Sequence, residues 1–438
     1  MNQSLTRQFF RFTIPTILSM VAFSLYTLVD GIFVAKGVGE TALAAVNLSS
    51  PYNSVMFAVG LLLAVGMSTT IAIRLGNGKH QEASSLFTRN LVTAMAVSVV
   101  ITVLTLCNLR SVAGFLGAEG DTLGYVMEYV GGVSPFAICF ICSYNMEILV
   151  KTDGTPILST IGVSLAGVTN LALDWLFVMV FHWGVRGAAI ATGLAQVVSM
   201  VLYLFYFAKR SKQLHFVKIS LKPSKFAIYR KTLPLGVADS ITEMSNGVVL
   251  FAFNQTILRL IGESGVVSYT VIGYVNTLVL MVMSGIAQGI QPISSFYYGR
   301  QDRKSYETIL KMALAMALAF SVGSFLVCQV FGNGIVGLFI KRDSLLFESS
   351  VLALRKYAWA FVLMGFNVVL AAFFTSIERP ACSFPISVGR GLIFPVAALA
   401  VVPAVAGAER LWYAGAVSEV AAAVIAVLFF AGYLRKRG

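Results

Sequence analysis

An all-α membrane protein is what this sequence predicts, on three observations. Of its 438 residues 58% are hydrophobic and only 12% charged, where soluble domains carry about 25% charged residues. Twelve apolar runs reach the roughly 20 residues needed to cross about 30 Å of hydrocarbon. The alternating segments of roughly 10 residues that would mark a membrane β-barrel are absent. With a mean hydropathy of +0.83, the chain has more apolar surface than a soluble fold can cover, and a bilayer removes the difficulty.

The runs follow in order. The first, 12–35, holds 24 residues and one charge, Asp30. It is too long for a signal-peptide core and lacks a cleavage site, so it is expected to be retained. Runs 45–73 and 88–107 come next, then 122–149, which contains Cys139 and Cys142. Their CxxC spacing has no second ligand pair, and small buried thiols are ordinary packing groups, so no metal or redox chemistry is expected of them. Runs 156–181 and 187–208 hold Asn170, Asp174 and Thr192. A basic segment, 209–231, interrupts the pattern near the midpoint. Run 233–258 then carries Asp239 and Glu243; 266–296, 310–331 and 346–375 follow; 384–405 carries Arg390 and 411–434 carries Glu419.

The formal net charge of +13 raises the question of nucleic acid. Its distribution answers it. With a cytoplasmic N-terminus, 22 Lys and Arg fall on the inner side, eight of them in 209–231, and nine on the outer side. That is the positive-inside bias of a multi-pass protein with both termini in the cytoplasm, so no nucleic-acid partner is expected.

The two halves echo each other. At a constant offset of 223, seven of 38 columns are identical between 39–76 and 262–299, among them Asn53/Asn276, Gly66/Gly289 and Gly76/Gly299. The organisation expected is therefore a six-helix lobe over 1–208, a cytoplasmic loop over 209–231 and a second six-helix lobe over 232–438. A pseudo-twofold axis along the membrane normal would relate the lobes and leave a central cavity between them, the layout of alternating access.

Ionisable groups inside a span cost at least about 2.5–3.5 kcal/mol and usually have a use. Asp30 lies about 8 Å from the outer end of its run at 1.5 Å per residue. Asp174 and Thr192 fall at comparable depth, and Asn170 shares a helix face with Asp174. These four make a candidate cation- or proton-coupling site, since two close carboxylates repel unless one binds a proton or cation. The alternative is structural: Asn170 and Thr192 bonded across helices, each Asp near a helix end. In the second half Asp239, Glu243 and Glu419 are candidate cavity groups that meet substrate; for Glu419 and Glu243 the alternative is a buried carboxylate paired with Arg390 or with a helix backbone. There is no Walker A, HExxH or GxSxG motif, and no enzyme is expected.

The stretches "SLYTLVDGIFVAKGVGETALAAVNLSSP", "TNLALDWLF" with "GVRGAAIATGLAQ", "FNQTILRLIGESGVVSY", "GIAQGIQPISSFYYG" and "LWYAGAVSEV" resemble, in order, the multidrug and toxic compound extrusion (MATE) transporters of the wider multidrug and oligosaccharidyl-lipid exporter group. The resemblance implies twelve helices in two lobes around a V-shaped cavity and export of drugs in exchange for H⁺ or Na⁺. It matches the family's first-lobe cation site to Asp30, Asn170, Asp174 and Thr192, and its seventh-span glutamate to Glu243. Lys151-Thr152 departs from it, where the family has Arg-Ala.

The function expected is a secondary active antiporter of the cell (inner) membrane that exports amphipathic, cationic organic compounds, antibiotics included. The alternative is a flippase for a lipid-linked saccharide, which would line its cavity with Arg or Lys. The expected partners are small organic cations and membrane lipids, the chain is expected to act as a monomer, and no cofactor is expected beyond the coupling ion.

Overall fold

The computed structural model describes residues 4–38, 40–220 and 222–435. The side chains at 26–32, 34–37, 40, 43, 44, 121 and 223 lie outside the description, and Asp30 is among them. No strand occurs among the described residues. The chain reads α1 (Leu5–Gly37), α2 (Glu40–Gly76), α3 (His80–Cys107), α4 (Leu109–Phe115), α5 (Asp121–Val133), α6 (Ala137–Thr152), α7 (Pro156–Asp174) and α8 (Gly184–Lys209). The second half reads α9 (Tyr229–Leu260), α10 (Glu263–Gly299), α11 (Arg303–Gly337), α12 (Phe347–Tyr357), α13 (Trp359–Ser376), α14 (Pro380–Val388), α15 (Phe394–Ala406) and α16 (Ala414–Arg435).

Eleven segments among the described residues are long and apolar enough to cross a membrane. The twelfth expected crossing, α9, is 32 residues long but falls short on composition, because Asp239, Thr242, Glu243, Ser245 and Asn246 fill its middle. Several helices outrun their apolar stretches: α2 and α10 each have 37 residues, against runs of 29 and 31 in the sequence. The expected run 122–149 is broken at Ser134–Phe136, where Pro135 removes a backbone donor and a 3₁₀ turn joins α5 to α6. The short α4 lies between runs and had no apolar signal of its own.

Large apolar side chains face outward as well as inward. Val99, Val100, Val103 and Leu104 on α3 and Val424, Val427 and Leu428 on α16 are all more than half exposed. In water such stripes would be a liability; in hydrocarbon they are the solvent face. Beside Pro15, inside α1, the Thr160 hydroxyl of α7 donates to the Pro15 carbonyl at 2.6 Å and ties the two helices together.

The interior divides into two large apolar clusters. One is built from 42–214 and the other mainly from 253–433, but the latter also takes Phe9 and Phe12 from the foot of α1. Reciprocally, Tyr229 and Leu233 at the foot of α9 pack against the first cluster. The crossing is symmetric. A Cβ at Gly66 of α2 would overlap the carbonyl of Thr232 on α9, and one at Gly289 of α10 would overlap Thr13 on α1. Gly66 and Gly289 stand at the sequence offset of 223, and each faces a threonine two residues before a proline, Thr232 before Pro234 and Thr13 before Pro15. Gly76 against Phe296 and Gly299 against Ile73 repeat the pattern at the same end. The halves therefore meet backbone to backbone at the end that carries 209–231, related by a pseudo-twofold.

Candidate functional site

Above that seam lies a cavity of about 200 Å³, walled by both halves. Met20 and Phe23 of α1, Phe57 and Leu61 of α2 and Tyr144 of α6 face α9, α10 and α13 across it. Its ionisable lining groups are Tyr144, Glu147, Asp239, Glu243 and Arg390.

Two of these charges are already answered. Glu147 pairs with Lys151 one turn on at 3.0 Å, with side chains 5% and 2% exposed. The Lys151 ammonium also donates to Gln288 Oε1 of α10 at 3.3 Å, so this ion pair is bonded across the halves. Arg390 pairs through Nε with Glu419 at 2.9 Å. Asn367 Nδ2 donates to Glu419 Oε2 at 2.7 Å and to the Glu419 carbonyl at 2.9 Å. Glu419 is not on the lining; it stands behind Arg390, so the expectation that it meets substrate directly gives way to the paired alternative.

Asp239 and Glu243 are different. They project from α9 one turn apart into the cavity, and no ion pair or hydrogen bond of theirs occurs among the described residues. With the other wall charges matched in pairs, two carboxylates are left to set the sign of the cavity. A buried charge without a counter-ion is costly.

Asn170, Asp174 and Thr192 lie off the cavity lining. Asn170 and Asp174 are buried on α7, 1% and 0% exposed. Asn170 Nδ2 donates to Thr192 Oγ1 of α8 at 3.4 Å, and the Thr192 hydroxyl donates in turn to the Ala188 carbonyl at 3.0 Å. Asn170 Oδ1 has no hydrogen-bond partner among the described residues. Immediately after Asp174 the helix widens into a π turn, Trp175–Val180, and the matching span of the second half has one at Gly389–Ile393, carrying Arg390. Such bulges are common at functional sites. The structure thus brings Asn170 and Thr192 together, with Asp174 one turn away. The side chain of Asp30, on α1, lies outside the described residues, so its distance to Asp174 does not enter.

Sequence reasoning missed Glu147 and Gln288 and counted Lys151 with the solvated inner-side cations, whereas it is almost fully buried. A signal was present: "EILVK" places Glu and Lys at i,i+4 in a run that is otherwise apolar.

The model of the family described as MatE matches residues 15–176 and 240–399. The chain is 24% identical over 341 residues to "Multidrug export protein MepA" of Staphylococcus haemolyticus (strain JCSC1435), covering 77% of this chain and 74% of that protein. It is 22% identical over 362 residues to the protein of the same name from Staphylococcus aureus (strain N315), covering 81% and 78%. Among solved structures, one described as the outward-facing conformation of a multidrug resistance MATE family transporter of the MOP superfamily superposes with a TM-score of 0.90 at 24% identity, over 99% of this chain and 96% of that one. Another, a MOP superfamily transporter from Pyrococcus furiosus Vc1 (DSM3638) described as having a binding pocket of reverse polarity, gives 0.88 at 24% identity over the same shares.

Proposed function

The chain belongs to the MatE family, and on that premise we propose that it is a multidrug efflux transporter that exports organic cations across the cell membrane in exchange for a coupling ion. The single observation that carries the substrate class is the pair Asp239 and Glu243, which face the cavity between the halves without a counter-ion while the other charges of the wall are neutralised. Apolar and aromatic walls (Met20, Phe23, Phe57, Tyr144) accept flat, variable ring systems.

The coupling ion is a proton, or Na⁺ in its place, bound at Asp30 and Asp174 with Asn170 and Thr192 in support. Binding there neutralises buried charge and favours one packing of α1, α7 and α8 over another; substrate favours the opposite one. Coupling requires that the two states differ in affinity for the ion, because a ligand shifts an equilibrium only through differential binding. The seam of glycine contacts is the end that must open in the alternate state, and the excess of Lys and Arg beside it argues that it is cytoplasmic, with both termini.

The flippase alternative needs a wall of cations for a pyrophosphate. Here the lining holds one Arg, tied by Nε to Glu419, opposite two carboxylates. The test is ethidium efflux from vesicles with ΔpH and ΔNa⁺ imposed separately. The reading predicts efflux driven by one gradient and not the other; equal efflux with both gradients collapsed contradicts it.

A further inference from the structure

One groove on the membrane-facing surface, away from the cavity, is built unlike the rest. It runs between the first turns of α1 and the start of α7, with a volume of about 520 Å³. Its floor is apolar: Phe10, Ile14 and Ile157 line it and are 45%, 45% and 52% exposed. Its mouth is cationic. Arg7 and Arg11, one turn apart on the same face of α1, both line it. The Arg11 guanidinium reaches over to the Gly154 carbonyl at 3.3 Å, and Lys212 of the loop after α8 donates to the same oxygen at 3.5 Å. Three cations thus converge where α1, α7 and the inter-half loop meet.

Among the described residues none of the three forms an ion pair. The sequence has no Asp or Glu before Asp30. Asp153, next in sequence to Gly154, is fully buried and occupied by the backbone N–H groups of Lys212, Gln213 and Leu214 at 2.8 Å each, the Tyr206 hydroxyl at 2.6 Å and the Ser211 hydroxyl at 3.2 Å. Two other grooves of this kind, of about 590 and 380 Å³, each hold a single arginine, Arg410 or Arg259. Basic pockets between helices at a membrane interface are suited to anionic headgroups, and an apolar trough leading from such a pocket into the hydrocarbon is suited to an acyl chain.

We propose that this groove is a binding site for one anionic phospholipid, its phosphate held by Arg7, Arg11 and Lys212 and one acyl chain lying along Phe10, Ile14 and Ile157. Because the foot of α1 also gives Phe9 and Phe12 to the second-half core, the bound lipid ties the inter-half loop, α7 and α1 together where the halves meet.

The test is lipid titration of the purified full-length protein, read by native mass spectrometry, with phosphatidylglycerol and phosphatidylcholine of identical chains. Phosphatidylglycerol should fill one saturable site in preference to phosphatidylcholine. Arg7→Gln with Arg11→Gln should weaken it about 30-fold, which at ~1.36 kcal/mol per tenfold is ~2 kcal/mol, the worth of two interfacial cations. Arg259→Gln and Arg410→Gln should leave that site unchanged, and Ile14→Trp should weaken it with all cations intact. Equal affinity of the wild-type protein for the two lipids overturns the proposal whether or not the variants fold. So does an unchanged affinity in the double Arg variant, or displacement of the lipid by glycerol phosphate at equal concentration, which would make the groove irrelevant.

Discussion

Lys151 is buried to 2% exposure, and Glu147 and Gln288 make that tolerable. Removing one member of a buried pair strands the other, typically at about 3–5 kcal/mol. Glu147→Gln is therefore expected to lower the thermal stability of the detergent-solubilised protein by an amount of that order, and Glu147→Gln with Lys151→Met to restore most of it; equal stability of single variant and wild type would remove the pair from the account. Glu243 behaves oppositely. Among the described residues it has no ion pair or hydrogen bond to strand, so Glu243→Gln should be at least as stable as wild type yet bind ethidium at least about tenfold more weakly, one charge contact being worth roughly 1.5–3 kcal/mol. Unchanged ethidium affinity would make the carboxylate a bystander. At this scale the sequence showed which groups were out of place in apolar runs, Asp30, Asn170, Asp174, Thr192, Asp239, Glu243 and Glu419 among them. It did not show which way each one faces. Glu419 and Glu243 look alike in a hydropathy profile, and only packing puts Arg390 between Glu419 and the cavity.

Among the elements, the inter-half segment shows how one side chain organises a length of chain. It carries eight basic residues and would repel itself as free coil. Asp153, capping the turn between α6 and α7, gathers three successive backbone N–H groups of it, with Tyr206 and Ser211 alongside. Asp153→Asn removes the charge and half of the acceptor capacity, so trypsin should cut within 209–231 several-fold faster in the variant, with the spans intact. An unchanged cleavage rate would mean that the segment is held elsewhere. Helix existence was legible for every span because a 20-residue apolar run has few alternatives. The π turns at Trp175–Val180 and Gly389–Ile393 were not, since one inserted residue leaves no mark on apolar periodicity. The break at Pro135 was readable in principle, and the continuity of apolar residues on both sides hid it.

For the molecule as a whole, the duplicated halves were visible as seven identities in 38 columns, and the structure gives two of those identities, Gly66/Gly289 and Gly76/Gly299, a physical reason. Each lets a backbone of the other half approach closer than any side chain permits. The exchange of helix feet, α1 into the second core and α9 against the first, was not legible, because sequence adjacency says nothing about which neighbour a helix end chooses. Gly66→Val should force the seam apart, so that spin labels at positions 77 and 301 move further from each other than in the wild-type protein; an unchanged distance would show that the seam tolerates bulk and does not set the closed state. The central proposal is that Asp30 and Asp174 of the first half exchange a proton or Na⁺ for a cationic substrate. It is tested most directly by running the exchange backwards. In vesicles with no pH or Na⁺ gradient, an imposed ethidium gradient alone should move protons or Na⁺ in the opposite direction, read by lumenal pH and Na⁺ dyes, and Asp30→Asn or Asp174→Asn should abolish that movement while leaving the protein folded. Ethidium flux through the wild-type protein with no change in lumenal pH or Na⁺, or an undiminished pH or Na⁺ change in both variants, would contradict the account.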